Sequence, residues 1–148
     1  MRDLPRQLTV DQLAELFEGR TRLVELLAER EDPLGPAAEQ VAAELSEAEK
    51  LEALNAHPAI GARNLSPRSA AEQGAEADAA TLTELAYLNQ VYEEKFGFRF
   101  VVFVDRRPKS ELIPVMQERL ERTREEELET AMGELVAIAR DRWSAAAD

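Results

Sequence analysis

The chain contains no cysteine. A disulfide framework, a cysteine-bound zinc site and a thiol nucleophile are therefore excluded. It has a single histidine, His57, which also excludes a metal centre built on two or three imidazoles. Basic residues are outnumbered, 18 against 30 acidic ones, and the formal net charge is −12. Such a surface disfavours general binding to nucleic-acid phosphates, which needs positive charge. No apolar run approaches the ~18–20 residues that cross a bilayer. The opening MRDLPRQLTVDQLAEL has no apolar core followed by a small-residue cleavage site. The final SAAAD is not a peroxisomal address. These absences point to a cytoplasmic protein with neither a membrane nor a nucleic acid as partner.

What is present reads as helix. The length, 148 residues with 45% hydrophobic content, suits one folded domain over 1–148. Ala, Leu, Glu, Gln and Arg dominate, and all are good helix formers. Thr9 with Gln12, Ser46 with Glu49, and Thr123 with Glu126 have the spacing of capping boxes. Helices are predicted after each, with further ones over about 21–30, from Pro36 to Leu45, over 69–74 and over 78–95. Ser110 is predicted to cap another, running to about Glu121. The run Asp32-Pro33-Leu34-Gly35-Pro36 breaks the second helix, and Gly97 offers a left-handed turn at the end of the long one. The fold class is thus all-α, a compact domain of roughly seven or eight helices.

One stretch departs from this pattern. Phe98 to Val104, FRFVVFV, is strand-like, yet one strand makes no sheet. It is either an extended buried segment or part of a dimer contact. The acidic run Arg124-Glu125-Glu126-Glu127 reads as a solvated helix face.

Four features carry possible chemistry. His57 can exchange a proton near neutral pH, and it sits in a Pro/Gly loop, Ala56-His57-Pro58-Ala59-Ile60-Gly61. A packing histidine is the alternative. Ser69, Glu72 and Gln73 share one helix face at i, i+3 and i+4, offering a hydroxyl, a carboxylate and an amide. The same spacing also fits a capping box. After Gly97, the main-chain groups of the aromatic extended run have no helical partners and can pair with a planar ligand, or the run is a hydrophobic plug. Arg142, on the last helix, can bind a carboxylate or carbonyl, or can serve as an ordinary ion-pairing arginine.

In this order the signals resemble a known family. The stretches are Ala56-His57-Pro58-x-Ile60-Gly61-Ala62-Arg63, then Ser69-x-x-Glu72-Gln73-Gly74-Ala75. Next comes Leu88-Asn89-x-x-Tyr92-x-x-Lys95-Phe96-Gly97-Phe98-x-Phe100-Val101, and last Ala131-x-x-Glu134-Leu135-x-x-Ile138-Ala139-x-x-Arg142. Over the last two-thirds of the chain they resemble the OHCU decarboxylases, which act on 2-oxo-4-hydroxy-4-carboxy-5-ureidoimidazoline in urate breakdown. Departures are Gly19-Arg20-Thr21-Arg22 in place of a Ser-Pro-Trp, Arg99 where proline is common, Glu76-Ala77 after Gly-Ala, and Trp143 in place of leucine.

The resemblance implies an all-α homodimeric lyase with no metal and no organic cofactor, giving (S)-allantoin. Carried over by position, His57 is the catalytic acid/base and Glu72 its charge partner and a substrate contact. Pro58 shapes the loop. Ser69, Gln73 and the backbone of Phe100, Val101, Val102, Phe103 and Val104 bind the ring and ureido edges, and Arg142 anchors a substrate oxygen. The alternatives are a relative acting on another ureide-type acid, prompted by Arg99, and a non-catalytic helical binding or dimerisation module.

Overall fold

A computed structural model describes residues 7–58 and 79–145. Among them are seven helices and no strand. They are α1 (Val10–Phe17), α2 (Arg22–Ala28), α3 (Ala37–Glu44), α4 (Glu47–Ala56), α5 (Ala79–Phe96), α6 (Lys109–Arg119) and α7 (Arg124–Ala145). The all-α class is borne out. No helix among the described residues is long and apolar enough to cross a membrane. The short helix predicted over 69–74 lies outside the described residues.

Local chemistry sets most helix starts. Thr9 and Gln12 exchange both capping hydrogen bonds, as do Ser46 and Glu49, and Thr123 and Glu126. Each box satisfies two N–H groups that a helix start leaves unpaired. Thr21 caps α2, and Pro36 precedes the first residue of α3. Ser110 is not a cap: α6 starts one residue earlier, behind Pro108, with no side-chain cap. Pro108 has no N–H and a fixed φ, so it can lead into the helix without Ser110.

The last helix organises the core. Its face Ala131, Met132, Leu135, Val136, Ile138 and Ala139 is buried, and α1, α3 and α4 pack on it. Helix α2 fills the angle between α1, α3 and α4 with Leu23, Val24 and Leu27, all fully buried. Side chains of this size each contribute roughly 1.5–3 kcal/mol of transfer free energy when buried. Helix α5 packs on α6. Its inner face is Leu85, Leu88, Asn89, Tyr92 and Phe96, whereas Leu82 is 40% exposed and Ala86 is exposed too.

Helix α5 ends at Gly97, whose φ of +81° suits a residue without a Cβ. The chain then runs extended and buried through Phe98, Phe100, Val101, Val102 and Val104. The burial expected of this segment holds, and among the described residues no strand pairs with it. Its aromatic rings meet Tyr92, with centroids 5.8 Å away for Phe98 and 5.0 Å for Phe100, both edge-on. Edge-to-face pairs add roughly 0.5–1.5 kcal/mol each beyond area burial.

Candidate active site

His57 stands where α4 stops. Its backbone is extended, with φ −81° and ψ 137°, as suits a residue before proline. Its N–H still donates to the Leu54 carbonyl at 3.2 Å. The side chain is buried, and Nδ1 makes no hydrogen bond among the described residues. Burial is the largest influence on the ring and disfavours its charged form. The Arg142 and Arg99 guanidiniums act in the same direction, and the Glu18 carboxylate opposes them. The net result pulls His57 down from 6.5 to about 4. The imidazole is neutral at pH 7, with one ring nitrogen able to donate and the other to accept.

Arg142 reaches this place from α7. It is 2% exposed, donates Nη1–H to the Leu16 carbonyl at 2.7 Å and pairs through Nη2 with Glu18 Oε1 at 3.2 Å. It is a buried cation rather than a surface one. Glu18 closes α1 with a left-handed backbone, φ 65°. The following Gly19 brings this corner against α4: a Cβ there would stand 3.2 Å from that of Ala56. The end of α1, the end of α4 and the last turn of the last helix therefore converge around His57.

The extended segment is gripped by side chains in place of a neighbouring strand. Arg119 Nη1 donates to the Val101 carbonyl at 2.8 Å. The Phe103 N–H donates to Glu134 Oε1 at 3.2 Å. Arg107 donates to the Phe103 and Val104 carbonyls at 2.6 and 2.9 Å. At the near end, the Arg99 N–H donates to Asn55 Oδ1 at 3.1 Å. Buried backbone polar groups need such partners. The Phe103 N–H and the Val101, Phe103 and Val104 carbonyls are thereby occupied.

Beneath this segment lies a cluster absent from the sequence-based reading. Glu127 is fully buried, so the acidic run is not wholly a solvated face. Its Oε1 accepts from Tyr92 Oη at 2.6 Å and from Arg119 Nε at 2.7 Å. The Arg119 guanidinium also lies 4.5 Å from the Phe100 ring centroid, within cation–π range. Helical spacing carries the signal: Glu127 precedes Ala131 by one turn, and Arg119 follows Leu112 and Met116 on their face.

Of the residues singled out by sequence, the structure places His57, Pro58, Arg142 and Phe100 to Val104. Pro58 is half-buried beside His57. Ser69, Glu72 and Gln73 lie outside the described residues.

The OHCU decarboxylase family profile matches residues 2–144. The chain belongs to the OHCU decarboxylase family. Among curated OHCU decarboxylase relatives, the 2-oxo-4-hydroxy-4-carboxy-5-ureidoimidazoline decarboxylase of Halalkalicoccus jeotgali is 31% identical over 113 residues, 73% of this chain and 64% of that protein. The enzyme of the same name from Haloferax volcanii is 32% identical over 114 residues, 73% and 67% of the two chains. This chain thus spans somewhat under two thirds of the first relative. A crystal structure of OHCU decarboxylase in the presence of (S)-allantoin superposes with a TM-score of 0.74 at 26% identity, covering 88% of this chain and 94% of that one.

Proposed function

We propose that this chain decarboxylates 2-oxo-4-hydroxy-4-carboxy-5-ureidoimidazoline to (S)-allantoin, with His57 as acid/base and without metal or organic cofactor. The observation that carries this is the site of His57: a buried imidazole, held neutral, beside a buried guanidinium and within the matched family region. The relatives' names supply the substrate.

The chemistry suits such a place. Breaking the bond to the carboxylate releases carbon dioxide and leaves an electron pair that flows into the neighbouring ring imine. The substrate anion becomes a neutral product plus carbon dioxide, so one proton is consumed. A carboxylate moved out of water loses hydration that its neutral product does not need. Arg142 anchors a substrate oxygen, by charge and by its planar fork. The neutral His57 ring takes the proton of the substrate hydroxyl and returns one to the ring carbon from a single face. That one-sided delivery fixes the S configuration.

Glu72 acts as the charge partner that supports His57 while it is protonated. Ser69, Gln73 and the backbone between Phe100 and Val104 hold the ring and ureido edges, and Pro58 stiffens the loop. The same reading makes the protein a cytoplasmic homodimer, a state that sedimentation equilibrium measures.

Freshly generated substrate, followed by circular dichroism with and without the protein, tests the proposal. Enantiomeric excess of (S)-allantoin is the expected result, unchanged by EDTA. Racemic product from folded protein contradicts it.

A further inference from the structure

Arg99 sits on the extended segment yet serves the end of α4. Its own N–H donates to Asn55 Oδ1 at 3.1 Å. Its Nη1 donates to the His57 carbonyl at 2.6 Å and to the Asn55 carbonyl at 3.2 Å. Carbonyls at a helix C-terminus have no intrahelical donors and carry the negative end of the helix dipole, so a guanidinium there is doubly favoured. Arg99 Nε is buried and makes no hydrogen bond among the described residues. Among the described residues, the charged groups acting on the His57 ring are Arg142 from α7, Glu18 from the end of α1 and Arg99 from this segment. Of these, Arg99 is also bonded to the main chain of His57 itself.

We propose that Arg99 is a positioning residue for the decarboxylation, clamping the Asn55 and His57 carbonyls so that the imidazole keeps a fixed direction against the Phe98–Val104 segment. The inference rests on the proposed function and adds a residue to it. The clamp joins the two parts that must hold the substrate in common: the proton-transfer group on one side and the main chain lining the ring on the other. Proton delivery to one face demands that these parts keep a fixed separation, because small misplacements of a reacting group cost orders of magnitude in rate. A lysine at this position retains the charge, but its rotatable ammonium on a flexible stem does not hold the fixed direction of the planar guanidinium, whose Nη1 serves both carbonyls.

Two variants separate the roles, each read by kcat, KM, product enantiomeric excess, melting temperature and NMR titration of the single imidazole. Arg99→Gln removes the charge and the guanidinium that holds the two carbonyls. It is expected to lower kcat by roughly 10-fold or more, reduce enantiomeric excess and raise the His57 pKa. Arg99→Lys is expected to leave that pKa near wild type yet still lower kcat and enantiomeric excess, with KM little changed. Full kcat and wild-type stereoselectivity in Arg99→Lys overturn the positioning role, as does a lowered melting temperature with kcat intact. Should Arg99→Gln not fold, Arg99→Lys alone decides. If the wild-type protein yields racemate, the proposed function fails instead. Cross-relaxation between the His57 ring and its neighbours then tests the clamp, and a ring contact pattern identical in wild type and Arg99→Lys overturns it.

Discussion

Glu127 and Arg119 form an ion pair of 2.7 Å whose side chains are 0% and 4% exposed. The pair is closed by the Tyr92 hydroxyl and spent on holding the Val101 carbonyl. Removing one member of such a pair strands a charge in the interior. Glu127→Ala is expected to destabilise the protein by about 3–5 kcal/mol, read as a lowered denaturant midpoint. Joint replacement of Glu127 and Arg119 by apolar residues of similar volume is expected to recover much of that loss. Equal stability of Glu127→Ala and wild type would contradict the buried pair.

His57 gives a second test, because it is the chain's single histidine and its NMR titration is one curve. The expected midpoint is about 4 in the free protein. The unfolded chain binds this proton at about pH 6.5 and the folded chain only near 4, so the unfolded state gains protons first as pH falls. Stability is therefore lost on going from pH 6.5 down to 4, by up to about 3 kcal/mol from this group. In His57→Asn the corresponding slope should flatten over that window. A midpoint at or above 6.5 would contradict the buried neutral ring.

Two substitutions separate His57 from Glu72. Asparagine cannot exchange a proton near neutral pH, so His57→Asn should lower kcat by on the order of 10²–10⁴. Glu72→Gln keeps hydrogen bonding but drops the charge. It should lower the His57 pKa in the substrate complex and shift the acidic limb of the pH–rate profile. If Glu72 serves only as a helix cap, Glu72→Gln is nearly silent. Melting temperature is the control for both.

The helices were largely readable because their determinants are local. Thr9, Ser46 and Thr123 each find the N3 side chain three residues on, and no distant contact is needed. The same locality explains the misses. Glu127 stands next to solvated glutamates, and only the partners Tyr92 and Arg119, from two other helices, make its burial tolerable. Ser110 lost the N-cap position to Pro108, because proline with its fixed φ suits a helix start as well. At the candidate site, His57 and Arg142 stood out by residue type and motif. Glu18 and Asn55 did not, and Arg99 stood out as a departure from the family pattern without its partners, because these roles depend on how α1, α4 and the extended segment meet.

The most direct measurement is the optical activity of the allantoin formed from fresh substrate by wild-type protein and by His57→Asn, at equal concentration and with folding checked. The account predicts (S)-allantoin in excess from the wild type. It predicts product close to the uncatalysed racemate from His57→Asn. An (S) excess as large from His57→Asn as from wild type would mean that another group delivers the proton, and would contradict the assignment of His57.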